Sequence, residues 1–231
     1  MSEHKKMSRS SFLNSIGSIG LLGTFPFLAM GCKEKNTEPP IYEGENKNAI
    51  ISNIMTRRAI RKYKETKVSQ EQIDVVMRCA IHAPSSANGQ PWEVRIVINS
   101  DILKEINSRW VKANWDKEFD GLLANHHDDG FSIFYNAPSL IIISADPQNL
   151  KAKTDVGLIM QNILLSAHAT GLGTCPIGAL ISILNSPENS DLLELLKVPS
   201  GYEVMGNVAL GYPAENPKAP IRYADKVKII R

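Results

Sequence analysis

Ser139-Leu140-Ile141-Ile142-Ile143-Ser144-Ala145 is a run of strand length whose central positions are all apolar. A strand with one wet face alternates in polarity. A run with no polar position on either side belongs to a strand covered on both faces. It therefore marks the middle of a sheet. Upstream, Glu93 to Ile98 alternates and is β-branched, which reads as a second strand. Downstream, Tyr202 to Tyr212 reads as another core strand, and Lys226 to Ile230 is a further strand candidate.

Helical spacing surrounds these strands. Asn48 to Arg58 places Ile50, Ile51, Ile54 and Met55 on one side. Ser69-Gln70-Glu71-Gln72 is a capping-box start, followed by Ile73, Val76, Met77 and Ala80 until Pro84 stops the helix. Asp101 to about Leu123 reads as an irregular helix, and Thr154 to Thr170 as a long one ended by Gly171. Asp191 to Lys197 is short and helical. No regular βαβ repeat runs through this order. The expected fold is α+β, one domain with a mixed, mainly antiparallel central sheet flanked by helices.

The bulk composition excludes several classes. Across 231 residues, 26 basic and 24 acidic side chains are interspersed for a net charge of +2, which leaves no electrostatic footprint for nucleic acid. Three scattered cysteines make neither a disulfide framework nor a zinc site. The first forty residues differ from the rest. Lys5, Lys6 and Arg9 precede an apolar run from Phe12 to Met30, then Ala29-Met30-Gly31-Cys32 and a polar stretch. That is the layout of an export signal. A transmembrane anchor is the alternative, weakened by Pro26 and the glycines. The segment resembles a bacterial lipoprotein signal with Cys32 as the lipidated residue, although Leu28 lies four positions before the cysteine where the pattern has leucine three before. Ser8-Arg9-Ser10-Ser11-Phe12-Leu13 resembles a degraded twin-arginine signal. The expectation is a signal over 1–31, a tether over 32–46 and a folded domain over 47–231, exported to the bacterial envelope and membrane-attached if Cys32 is lipidated; a cytoplasmic location is the alternative.

Four clusters carry candidate chemistry. Thr56-Arg57-Arg58-Ala59-Ile60-Arg61 offers three forked guanidinium groups to phosphate oxygens; alone, it is equally a solvated basic helix end. Ala83-Pro84-Ser85-Ser86-Ala87-Asn88-Gly89-Gln90-Pro91-Trp92 crowds donors and acceptors into a helix-to-strand connector, and alone it is more simply a polar turn. Gly171-Leu172-Gly173-Thr174-Cys175-Pro176-Ile177-Gly178 permits close backbone approach to a flat ligand, or is a helix stop and turn. It is no dinucleotide fingerprint, because it follows a helix. Gly211-Tyr212-Pro213 leads to Lys218 and Arg222, a second basic pair or a charged tail. His126-His127-Asp128-Asp129 looks like a metal cluster, but contiguous side chains point apart, which favours a polar loop. Neither Cys79 nor Cys175 has a nearby partner histidine arranged to activate it, and no Gly-x-Ser-x-Gly elbow occurs.

In this order the four clusters resemble the nitroreductase family of FMN-dependent oxidoreductases, over about Ile50 to the C-terminus. Asp155, Gly157, Gln161 and Asn162 match a further run of the family in the long helix. The resemblance implies a homodimer with two FMN sites at the subunit interface. Arg57, Arg58 and Arg61 would hold phosphate and ribityl groups, joined by Arg222. Pro84, Ser85, Ser86 and Asn88 would line the ring and ribityl side from the partner subunit. Gly178, after Pro176 and Ile177, would offer its N–H to the ring, and Gln161 joins the cofactor-binding set. Ala59 stands where the family has serine, with the loss of one hydroxyl contact. The flavin carries the redox chemistry and the protein positions it, so no catalytic side chain is assigned. The implied activity is ping-pong reduction of nitroaromatics, quinones or similar acceptors, with NAD(P)H as the family's usual donor. Export would part the enzyme from that cytoplasmic pool and call for an envelope electron donor. The rival readings are a reductive dehalogenase of the same fold, with Trp110 to Asp129 as its lid, and a non-catalytic envelope flavin or electron-transfer protein.

Overall fold

The computed structural model describes residues 48–231, so the expected signal segment and Cys32 lie outside the described residues. Every position of the 139–145 strand is buried. Its alternation explains the unbroken apolar run: Ile141 and Ile143 enter one core, while Leu140 and Ile142 enter the other. The elements in chain order are α1 (Ala49–Thr56), α2 (Gln70–Ile81), β1 (Trp92–Val97), α3 (Ser100–Asn114), β2 (Ser139–Ala145), α4 (Ala152–Ala169), β3 (Gly173–Pro176), α5 (Ile181–Leu184), α6 (Ser190–Leu195) and β4 (Glu203–Gly211). The four strands form one sheet in the order β1-β2-β4-β3, antiparallel at each pairing. Ile141 faces Ile96 on one side and Val208 on the other.

Helices α2 and α4 cover one face. Val76 and Ala80 pack with Ile159, Ile163 and Ala167 over β2 and β4. Ser69 caps α2 by accepting from the Gln72 N–H, as the capping box predicts. Gln72 then ties three elements together: its amide donates to the Thr170 carbonyl at 2.9 Å and accepts from the Tyr212 hydroxyl at 2.6 Å. The opposite face is covered by α3, α5, α6 and the 131–137 segment, around Ile106, Trp110, Leu180 and Leu192. Gly171 ends α4 with φ +79°, a left-handed stop suited to glycine.

Three expectations are corrected. The short strand β3 lies where the sequence reads as a turn, because its four residues begin with glycine and end with proline. The 226–230 stretch forms no strand: a 3-10 turn closes at Lys226 and no regular element follows. Helix α3 ends at Asn114, whose buried amide bonds back to the Trp110 carbonyl, and only a 3-10 turn at Gly121–Leu123 continues the irregular stretch. Among the described residues, no helix is long and apolar enough to cross a membrane.

Candidate functional site

The first arginine cluster leaves its helix at once. Arg57, with φ −57° and ψ 136°, turns the chain out of α1. The next residues then run extended along the free edge of β3. Ala59 bridges Thr174, and the Ile60 N–H donates to the Thr174 carbonyl at 2.9 Å. Farther on, Tyr63 bridges Pro213 while the Lys64 N–H donates to the Tyr212 carbonyl at 2.9 Å. The arginine, glycine-rich and Gly-Tyr-Pro clusters are thereby zipped into one structure. Gly173 makes the approach possible, since a Cβ there would stand 2.8 Å from Ile60 Cγ1 and 2.9 Å from Ile60 Cβ.

A cavity of about 320 Å³ opens at this junction, lined by Thr56, Arg57, Arg58, His168, Gly171 and Glu215 among others. Arg58 caps α1 as well: its Nη1 donates to the Met55 carbonyl at 2.7 Å and to the Arg57 carbonyl at 2.9 Å. The basic-helix-end reading thus holds for Arg58 alongside the site reading. The Arg57 guanidinium is held below its ordinary pKa by burial, then by the charges of Arg222 and Arg58. Arg222 is thus brought close enough to act on Arg57, although 165 positions separate them along the chain. Arg61 lies 6.0 Å over the Tyr135 ring, and its backbone N–H donates to Glu215. Burial pulls the Arg61 pKa down, but Cys175, Tyr135 and Glu215 outweigh it and the net direction is up.

Strand β3 carries the chain from this cavity to Pro176, Ile177 and Gly178. The turn is pinned from two sides: the Ile177 N–H donates to the Asn207 carbonyl at 2.8 Å, and the Trp110 indole N–H donates to the Ala179 carbonyl at 3.0 Å. A Cβ on Gly178 would meet nothing within 4 Å, so the backbone there borders open space. Cys175 is buried, which pushes its thiol pKa up and makes it no ready nucleophile.

The 83–92 connector is partly the polar turn it resembles. Ser86–Asn88 form a 3-10 turn with left-handed backbone at Ala87 (φ 53°) and Asn88 (φ 54°). The Ser85 hydroxyl accepts from the Gln90 N–H at 3.0 Å, and Gln90 in turn bonds Asn88. The loop is anchored from α4, where the buried Asp155 carboxylate accepts from the Ser86 N–H at 3.2 Å. Trp92 is buried at the far end, and the Pro91 carbonyl accepts from the Asp146 N–H. Pro84, Ser86 and Asn88 remain exposed.

The predicted residues therefore gather in two places. Arg57 and Arg58 meet beside His168 at the C-terminal end of α4, with Arg222 near Arg57 and with Ala59, Arg61 and Pro176–Gly178 along the adjoining strand. Pro84 to Asn88 meet Asp155 near its N-terminal end. Asp155 and His168 lie about 20 Å apart at roughly 1.5 Å of rise per residue, so one chain does not bring the two groups together. Gln161 sits exposed between them. Beside α4 runs a cleft of about 1200 Å³, walled by α1 and α2. There α1 turns Ile50, Ile54 and Met55 outward, with Ile50 73% exposed.

His168, Trp110 and Asn207 are site-supporting residues that sequence reasoning missed; none belongs to a motif, whereas Thr56 opens the arginine cluster. Trp110 is also removed from the expected lid, being 2% exposed in the core against Phe119 and Phe131. His126 corrects the polar-loop reading. It is buried edge-on to Trp110 and Phe119, and its ring centroid lies 3.8 Å from that of His127, so the two side chains do not point apart. No group of three or more His, Cys, Asp or Glu among the described residues is arranged to hold a metal ion.

A model described as the nitroreductase family matches residues 54–212. An NADPH-flavin oxidoreductase of Vibrio harveyi is 30% identical over 76% of this chain and 70% of its own. A solved nitroreductase with bound FMN from Bacteroides fragilis superposes with a TM-score of 0.73 at 28% identity, covering 80% of this chain and 100% of its own. A second, from Desulfitobacterium hafniense and also with bound FMN, gives 0.73 at 27% identity over 80% and 99%.

Proposed function

This chain belongs to the nitroreductase family, and from that premise we propose that it is an FMN-dependent oxidoreductase passing electrons from NAD(P)H to small acceptors such as nitroaromatics or quinones. The observation that carries the reading is the pair Arg57 and Arg58 on the wall of one glycine-walled cavity, with the charge of Arg222 near enough to act on Arg57. Guanidinium groups from distant parts of the chain suit a phosphate dianion, which each can bind with forked donors. The open backbone at Gly178 gives a flat ring room to lie against the protein. The residues present therefore fit FMN, which when bound supplies the redox chemistry.

The chain's own work is positioning. The arginines hold the phosphate end and favour negative charge nearby. Asn207 and Trp110 fix the turn that carries Gly178, and Asp155 fixes the turn at Ser86. We place the 84–88 loop and the arginines in one site by pairing two copies of the chain, each lending one half to the other's ligand. The outward apolar face of α1 beside the large cleft supports such a pairing. FMN held there would take electrons from the donor and give them to the acceptor in turn, which would make the kinetics ping-pong. A second reading, carried by the signal-like layout of residues 5–32, is export and attachment at Cys32, in which an envelope redox partner or quinol would replace NAD(P)H.

The test begins with the visible spectrum of the purified chain and anaerobic titration with NADH and NADPH. A yellow protein bleached stoichiometrically by either nucleotide is expected; a colourless chain that takes up no added FMN would overturn the proposal. Replacing both Arg57 and Arg58 by Ala is expected to yield protein without bound flavin. Recovery of that variant with normal flavin content would remove the arginines from the site.

A further inference from the structure

His168 occupies the last turn of α4, on the wall shared by the phosphate cavity and the large cleft. Its Nε2 lies 2.9 Å from the Thr56 hydroxyl. That hydroxyl already gives its only proton to the Ser52 carbonyl, 2.7 Å away. Toward His168 it can only accept, so Nε2 carries the hydrogen and the neutral ring leaves Nδ1 as a bare acceptor. Nδ1 has no hydrogen-bond partner among the described residues.

The neighbours decide what Nδ1 can do. Arg57 and Arg58 face the ring from the end of α1, and Arg222 adds its charge through Arg57. Across the cleft, α2 contributes Arg78 and His82. The one carboxylate in the cavity wall is Glu215, engaged by the Arg61 N–H. In this setting burial, then Arg57 and Arg58, hold the His168 pKa below its ordinary value. A dianion between those arginines reverses the balance: it offsets their charge, and it favours a donor over a bare lone pair at Nδ1.

We propose that His168 is a further ligand of the phosphate bound at Arg57 and Arg58, and that it takes up a proton from solvent as the phosphate enters. This rests on the phosphate reading of the cavity, and the consequence is specific. Affinity for a phosphorylated ligand rises as pH falls through the histidine range, while affinity for the same ring without phosphate does not.

The test compares the full-length wild-type chain with His168→Gln, following retention of FMN and of riboflavin across the range around pH 6.5. The wild-type advantage for FMN is expected to grow about tenfold from the alkaline to the acid side, the equivalent of one pKa unit, with no such growth for riboflavin. A wild-type to variant ratio that is constant with pH, or one that changes equally for riboflavin, overturns the proposal. A second measurement does not depend on the variant folding or on flavin binding. In ring-labelled wild-type protein titrated with inorganic phosphate, the His168 resonance should titrate at a higher pH than without phosphate. An unmoved His168 overturns the proposal. A His168 that responds to phosphate in a chain that binds no FMN sustains it while overturning the flavin reading.

Discussion

Gly173 and Gly206 both stand where an added Cβ would meet a neighbour, but the neighbours differ in what they can give. At Gly173 the obstruction is Ile60, contacted at its branched Cβ and Cγ1 on a segment tied to Thr174. At Gly206 it is the terminal methyl of Met160, at 2.5 Å, on a flexible side chain. Gly173→Ala is therefore expected to cost about 1–3 kcal/mol as overpacking and to displace the chain between Arg58 and Arg61. Gly206→Ala should cost less than about 1 kcal/mol, because the strand also gains from losing a glycine. Chemical denaturation of both variants checks the ranking, and flavin retention should fall only in Gly173→Ala.

Among the elements, α3 bears on the site at a distance. The Trp110 indole reaches from its buried face to the Ala179 carbonyl and so holds the turn that presents Gly178. Trp110→Phe removes this part-buried hydrogen bond, leaves the exposed Ala179 carbonyl to water and is expected to cost about 0.5–1.5 kcal/mol, measured by denaturation; turnover should fall more than flavin affinity, because the ring-side turn loosens while the arginines stay. That role was not legible in the sequence, where Trp110 sits in a stretch with no clean period and reads as lid. Elements with strong local signals were legible: the Ser69 cap, the Gly171 stop and the apolar 139–145 run act through their own neighbours in the chain. Strand β3 was not, because a four-residue strand is made by its partners β4 and Ala59 and not by its own composition. The arginines and the 83–92 loop could be named from motif chemistry. That they occupy opposite ends of α4 depends on packing that no motif encodes, as does the place of His168.

At the scale of the whole molecule, acid acts through groups whose protons are released more readily in the folded chain. His168 is lowered by burial and by Arg57 and Arg58, and Asp191 by its hydrogen bond from Arg109. In the window below the ordinary histidine value of 6.5, the unfolded chain binds more protons at residue 168 than the folded one, so stability is full above that value and declines as pH falls. The Asp191 contribution is present above 3.8 and is lost at lower pH; it is exposed, so salt should screen it. The melting temperature of the flavin-free chain is expected to drop in two stages on acidification, and His168→Gln should erase the first. Ligand-bound protein should resist that first stage, since the phosphate favours the protonated ring.

The length of α4 has a genetic consequence. If each copy supplies arginines to one ligand and an 84–88 loop to the other, the two kinds of defect reside in separable halves. A chain lacking Arg57 and Arg58 and a chain with a disabled loop, such as Asn88→Pro, are each expected to be colourless alone. Refolded together, they should form mixed pairs in which one site receives both intact halves and the other both damaged ones. Half of the sites in such a pair would recover flavin and activity, a complementation between two dead alleles of one gene. Failure of every such mixture to regain colour would place the complete site within a single chain.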